Sequence, residues 1–193
     1  TNIDLADEQI FPLRMPGDTY WQMSDLGTNS FGQSVSITPI QMITAVSAIA
    51  NDGNMMAPHM VRAVIQDGKQ REINPMIIGT PVSADTAHTL TEMLAQSLEG
   101  ETSSIHIEGY RLAGKTGTAQ VPMVGGYKET ATNASFIGWG PADDPQFIVF
   151  VWLEEPTSSP WGSVVAAPLF SDIVQELVVL INLPPDHIRQ QIR

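Results

Sequence analysis

The chain has 193 residues, 42% of them hydrophobic, enough for one domain with its own core or for part of a larger one. Its formal net charge is -12 and its lysines and arginines do not cluster, which argues against nucleic acid as a partner. With no cysteine, disulfides and thiolate metal sites are excluded, and nothing follows about redox compartment.

No apolar run is expected to approach the ~20 residues that span a bilayer, and no stretch here reads as a signal peptide, which says nothing about the parent protein. The chain opens on Thr1 inside what reads as interior sequence, Ile3-Asp4-Leu5-Ala6, and is expected to be a piece of a longer protein. Residues 1–37 are rich in Gly, Pro, Asp and Ser without a sustained period, and predict an ordered loop region pinned by Trp21 and Phe31. Thr38-Pro39-Ile40-Gln41 is a strong helix start: Thr38 can cap, Pro39 suits the first position and Gln41 can close a capping box. This helix is expected to run to about Asn51, burying Ile43, Val46, Ile49 and Ala50, with Gly53 ending it.

Met60 to Gln66 alternates loosely, and Asp67-Gly68 signals a type I′ hairpin with a return strand to Ile73. Such a ribbon reads as an outlying flap. Ser83 caps the next helix, which has Asp85 in its first turn, one face formed by Ala87, Leu90, Leu94 and Leu98, and Gly100 at its end. Residues 101–109 predict a polar loop.

From Tyr110 the pattern becomes strands: 110–121, a loop from Pro122 to Thr130 with Gly125-Gly126 at its tip, and then 134–139. After a turn at 141–145, the strand from Gln146 to Leu153 is apolar on both faces and is expected to be buried between layers. Short connections make these strands antiparallel neighbours. An apolar helix from about Val164 to Ile181 is expected to lie over the third strand, and the polar tail from Asp186 to be mobile. The four histidines, His59, His88, His106 and His187, lack metal-ligand spacing, so no metal is expected. Asp143-Asp144 and Glu154-Glu155 read as solvated turn charges, and the methionines as core filler.

The chemistry concentrates in Gly114-Lys115-Thr116-Gly117-Thr118, inside the first of these strands. Glycine within a strand marks a bulge or a close approach by another backbone or a ligand. With a cation and two hydroxyls beside it, the fitting guest is an anion or a polar peptide along the strand edge. A P-loop is excluded, because Ala119-Gln120-Val121-Pro122 continues the strand instead of opening a helix. Lys-Thr-Gly alone also fits a solvated turn; the extended run is far rarer.

In this order the elements resemble the C-terminal half of a penicillin-binding protein transpeptidase domain, class B type. The resemblance rests on Ile3-Asp4-Leu5, Phe31-Gly32-Gln33, Ile37-Thr38-Pro39-Ile40-Gln41-Met42, Ala48-Ile49-Ala50-Asn51-Asp52-Gly53, Ala113 to Ala119, and Ser135-Phe136-Ile137-Gly138-Trp139. It implies an α/β fold of the α+β type, an antiparallel sheet flanked by helices, as in part of the penicillin-binding-protein and serine β-lactamase fold. The whole of 1–193 would belong to one domain, with a loop and helical region over 1–109 and sheet plus C-terminal helix over 110–193.

The resemblance further implies peptidoglycan D,D-transpeptidation by serine acyl transfer, without a cofactor. Lys115 would place positive charge beside the nucleophile. Thr116 and Thr118 would donate hydroxyls to the substrate or β-lactam carboxylate, the Thr118 N–H would serve the oxyanion hole, and Gly117 would let the substrate backbone approach. Implied partners are peptidoglycan stem peptides, β-lactams, the upstream half of the same domain and, for the parent, a membrane glycosyltransferase. The implied location is the extracytoplasmic face of the cell membrane.

One departure is decisive. No serine lies three residues before Lys69, Lys115 or Lys128, and no Ser-x-Asn occurs, so the family's nucleophile motifs are expected upstream of Thr1 and the piece alone is expected to be inactive. Alternatives are a D-Ala-D-Ala carboxypeptidase or β-lactamase relative, and a non-catalytic β-lactam-sensing or structural domain.

Overall fold

The computed structural model describes every residue except Ile10, Pro12, 100–104 and Arg193. In chain order the elements begin with helices α1 (Met23–Ser30) and α2 (Pro39–Ala50), then short strands β1 (Met55–Met56), β2 (Ala63–Gln66), β3 (Lys69–Glu72) and β4 (Ile77–Gly79). Helix α3 (Ala84–Gln96) leads to the long strands β5 (Ala113–Met123), β6 (Gly126–Gly140) and β7 (Phe147–Glu154). Helices α4 (Gly162–Leu180) and α5 (Asp186–Ile192) follow. The fold is α+β with antiparallel sheets, as the sequence implied.

The chain forms two compact units, the first from Thr1–Leu13 and Ser36–Leu90, the second from Arg14–Val35 and Thr91–Arg193. In the first, α2 starts as its sequence dictates: the Thr38 hydroxyl accepts from Gln41 N at 3.2 Å and Gln41 Oε1 accepts from Thr38 N at 2.8 Å. It ends with Asp52 in the left-handed region (φ 51°) and Gly53 N bonded to Ala48 O at 2.7 Å. The face it buries most deeply is Thr44 and Ala48; Ile43, Val46, Ile49 and Ala50 are half-buried. Strands β2 and β3 form the expected two-stranded ribbon through Asp67 and Gly68, both at positive φ, and β1 pairs separately with β4.

The second unit is built on the sheet β5-β6-β7. Helix α4 lies across all three strands, most extensively on the central β6 rather than on the third strand as expected. Its buried face, Gly162, Ala166, Ala167, Phe170, Ser171, Val174 and Val178, closes the core with Leu112, Phe136 and Val151. The Phe136 and Phe170 rings meet at 4.6 Å between centroids, and Gly138 is glycine because a Cβ there would lie 2.7 Å from the Phe170 ring. By length and composition α4 could cross a membrane, contrary to the expectation that no such run exists. Its seating on the sheet makes it a core helix here.

Several expectations are corrected. Residues 1–37 contain the helix α1, whose Asp25 is buried and accepts from Gln22 N at 2.9 Å; Trp21 is half-buried, but Phe31 is 69% exposed and pins nothing. The expected loop 122–130 is strand: β5 and β6 pair out to Met123 and Gly126, with Val124-Gly125 as the turn. Ile105 and Ile107 are core residues, so the stretch before β5 is not simply polar; Gly100 and the rest of that loop to 104 lie outside the described residues.

Strand β7 is not buried between layers. It is a sheet edge among the described residues, covered by α4 on one face, with Trp152 47% exposed. The tail from Asp186 is helix α5, anchored by the buried Arg189, and Asp143 and Asp144 are that arginine's ion-pair partners rather than free turn charges. Glu155 pairs with Lys128. Met15, Met23, Met60, Met76, Met93 and Met123 are exposed and fill no core.

Candidate active site

Strand β5 pairs only with β6 among the described residues, which leaves its outer edge open. The register sets Lys115 opposite Ile137, Thr116 opposite Phe136, Gly117 opposite Ser135 and Thr118 opposite Ala134. Paired residues share a face and successive ones alternate. Thr116 and Thr118 therefore point to the α4 side with Phe136, whereas Lys115 and Gly117 leave on the other.

The ammonium of Lys115 nevertheless returns to the hydroxyl side. Lys115 is exposed, and its Nζ donates to Thr116 O at 3.2 Å and to Thr116 Oγ1 at 3.3 Å. No carboxylate pairs with it among the described residues, in a chain of net charge -12. Thr118 is fixed from the other direction: its Oγ1 accepts from the backbone N–H of Gly162 at 3.1 Å. That N–H is one of the donors a helix start leaves unsatisfied, and Trp161 at the cap position supplies no side-chain acceptor. Each threonine thus uses an acceptor site on its own protein, and a hydroxyl keeps its proton to donate. The ammonium and the positive end of α4 together favour a negatively charged guest.

The glycines owe their identity to β6. A Cβ on Gly114 would lie 2.6 Å from the Phe136 ring and 2.9 Å from Ile137 O. A Cβ on Gly117 would fall on Ser135 Oγ. The close approach expected of a substrate at Gly117 is therefore already made by Ser135, and the glycine is required by the sheet whether or not a ligand is bound. At Gly162 a Cβ would fall on Gly117 O and Ser135 O, so only glycine lets α4 come this close to the motif.

Sequence reasoning singled out Lys115, Thr116, Gly117 and Thr118, and the structure brings the Lys115 ammonium and the Thr116 hydroxyl together while holding Thr118 against α4. It missed Gly162 and did not see that Ser135 covers Gly117. The only advance signal was a glycine at the start of an apolar helix. It also missed that Tyr127, near the hairpin turn, hydrogen-bonds Ser34, just after Phe31-Gly32-Gln33, at 2.7 Å between the two hydroxyl oxygens. The four histidines are exposed, as expected. A small cleft lined by Ala95, Leu98, Ile105, Tyr110 and Arg111 does not include the motif.

A lysine- and threonine-bearing edge strand, backed by a helix on an antiparallel sheet, is the arrangement that the resemblance implied. The penicillin binding protein transpeptidase domain model matches residues 2–175, and the chain belongs to that family.

Its relatives are of the class B type. Stage V sporulation protein D of Bacillus subtilis is 34% identical over 96% of this chain and 29% of its own length. Penicillin-binding protein PbpB of Mycolicibacterium smegmatis is 32% identical over 95% of this chain and 30% of its own length. The chain therefore spans less than a third of these relatives. Among solved structures, penicillin-binding protein 3 of Mycobacterium tuberculosis complexed with ampicillin superposes with a TM-score of 0.78 at 33% identity, over 90% of this chain and 41% of that one. The transpeptidase domain of Burkholderia pseudomallei penicillin-binding protein 3 gives 0.75 at 30% identity, over 91% and 53%.

Proposed function

We propose that this chain is the Lys-Thr-Gly wall of a peptidoglycan D,D-transpeptidase site whose nucleophilic serine lies outside residues 1–193. The observation that carries this reading is the Lys115 ammonium on the Thr116 hydroxyl at the open edge of β5, with Thr118 held by Gly162. The absence of Ser-x-x-Lys and Ser-x-Asn from the sequence, and the relatives' greater length, support a nucleophile supplied by the upstream half of the same domain.

In the proposed reaction the serine oxygen attacks the carbonyl between the two terminal D-Ala residues of a stem peptide. The D-Ala–D-Ala bond breaks, D-Ala leaves carrying a proton on its amine, and an ester to the serine forms. An amine of a second stem peptide then attacks that ester, the ester C–O bond breaks, the cross-link forms, and the attacking amine gives up a proton to the serine oxygen. Thr116 and Thr118 donate to the terminal carboxylate, Lys115 stabilises negative charge at the serine, and the Thr118 N–H donates to the developing oxyanion. Loss of a single oxyanion-hole donor costs about 3 kcal/mol in comparable enzymes. β-Lactams enter as carboxylate-bearing mimics of the same peptide. The parent works at the extracytoplasmic face of the cell membrane, and a membrane glycosyltransferase fits as its partner.

The test is labelling with a fluorescent penicillin. Full-length protein is expected to carry the label on a serine outside this segment, with labelling slowed about 100-fold in Lys115→Ala. Residues 1–193 alone are expected to carry none. A covalent adduct within the segment, or unchanged labelling of Lys115→Ala, overturns the reading.

A further inference from the structure

The start of β5 is held by a segment beyond residue 175, where the matched family model ends. Tyr110 Oη donates to Leu183 O at 2.6 Å, and Asp186 N donates to Gly109 O at 2.8 Å. Arg111 N donates to Asp186 Oδ2 at 2.7 Å. Gly109 sits at φ 83°, a conformation that favours glycine, and a Cβ added there would meet the Pro185 Cβ at a tight 3.0 Å. The lead-in to the active strand is thus bonded at three successive residues by the C-terminal turn.

Asp186 divides its two oxygens between two tasks. While Oδ2 holds the Arg111 N–H, Oδ1 accepts from Arg189 Nη2 at 3.0 Å. Arg189 is buried and also binds Asp143 and Asp144 in the β6–β7 turn. The same turn reaches back to the lead-in, Ala142 N donating to Arg111 O at 2.7 Å. One buried guanidinium therefore joins α5, the β6–β7 turn and the carboxylate that receives β5.

Two anchors now bracket the motif. Arg111 is fixed by Asp186 on one side of Lys115-Thr116-Gly117, and Thr118 by Gly162 on the other. Because β5 has β6 as its sole strand partner among the described residues, its open edge is held by β6, by α4 and by these anchors, Arg111 being tied through its side chain to Glu92 and Glu99 as well. Arg111 lies two residues before β5 begins at Ala113 and four before Lys115, about 13 Å of extended chain, with Leu112, Ala113 and Gly114 buried between them.

We infer that Asp186, with Arg189 behind it, is a positioning residue for the Lys115-Thr116 pair, setting where the active strand enters the sheet. This rests on the transpeptidase reading for its functional consequence, though not for its structural one. A misplacement of about 1 Å can cost up to 100-fold in rate, so a partial release of the clamp corresponds to roughly tenfold.

The test uses full-length protein and the variants Asp186→Ala, Asp186→Asn and Arg189→Gln. Stopped-flow acylation by a β-lactam separates the limiting rate from the half-saturating concentration, and hydrogen exchange follows the amides of 109–116. Asp186→Ala is expected to lower the limiting rate about tenfold, to change half-saturation by less than about threefold, and to speed exchange at Arg111. Asp186→Asn keeps one oxygen acceptor for Arg111 N–H but turns an amide NH2 on Arg189, so it is expected to recover the rate and the exchange protection in part. A folded Asp186→Ala with unchanged rate and exchange overturns the proposal, as does a folded Asp186→Asn no better than Asp186→Ala in both. Should Asp186→Ala not fold, Arg189→Gln decides: an unchanged rate in a folded variant overturns the proposal, and a lowered one with faster Arg111 exchange supports it. If wild type is not acylated at all, the transpeptidase reading fails, and exchange at Arg111 still judges the clamp.

Discussion

The backbone N–H of Gly162 is bonded to the side-chain oxygen of Thr118 at 3.1 Å, so the first residue of α4 rests directly on the motif strand. This contact requires a residue without a side chain, since a Cβ at 162 would be closer than 3.0 Å to two backbone oxygens, those of Gly117 and Ser135. Backbone cannot swing aside as a side chain can. Gly162→Ala is therefore expected to destabilise the protein by about 1–3 kcal/mol, the usual cost of overpacking. Urea unfolding of the two proteins side by side checks this, and an unchanged midpoint contradicts it.

The obstruction at Gly117 has a different owner. An added Cβ there would strike Ser135 Oγ, while the Ser135 Cβ would be at an ordinary 3.8 Å. Gly117→Ala should cost about 1–3 kcal/mol in the wild-type background and clearly less when Ser135 is alanine. A double-mutant cycle measures the difference; strict additivity would show that Ser135 is not what excludes the side chain.

Arg111 donates through Nη1 and Nη2 to both oxygens of Glu92, at 2.7 and 2.8 Å, and through Nε to Glu99. The hydrogen bonds from Arg111, then one from Gln96, lower the Glu92 pKa from 4.5 to about 2. A carboxylate whose folded pKa is depressed stabilises the protein above its unfolded pKa and loses that contribution as pH falls through its folded one. The stability difference between wild type and Glu92→Gln should be full above pH 4.5, shrink below it and vanish near pH 2. Both partners are substantially exposed, so the effect is small. Melting curves across that window test it, and a difference that does not change with pH would refute it.

Strand β7 leaves one edge unpaired among the described residues, and Trp152 stands 47% exposed on it. Open edges bearing large apolar groups pair with other chains. Residues 1–193 expressed alone should self-associate with rising concentration, and Trp152→Lys should shift them toward monomer. Sedimentation velocity at several concentrations measures this. A concentration-independent monomer with slow exchange along β7 would count against it.

Features closed within a few residues were legible in the chain. Thr38, Pro39 and Gln41 announce α2 because a capping box is a local bond pattern, and Asp67-Gly68 announces the ribbon because a two-residue turn needs positive φ. The Lys115-Thr116-Gly117-Thr118 run was likewise visible as chemistry out of place in a strand. Helix α5 was not: Asp186 to Ile192 looks like a polar tail until Arg189 meets Asp143 and Asp144, more than 40 residues earlier. The exposed face of β7 was misjudged because an apolar strand reads the same whether its second face is covered or bare.

By itself, then, the order of residues determined which groups could perform chemistry and which short segments would turn or cap, since these depend on neighbours in the chain. Tertiary structure alone decided that Ser135 imposes the glycine at 117, that Gly162 seats Thr118, and that Asp186 holds Arg111. Those relations join atoms 18 to 75 residues apart, and a separation of that kind is set by how α4, α5 and the sheet pack together.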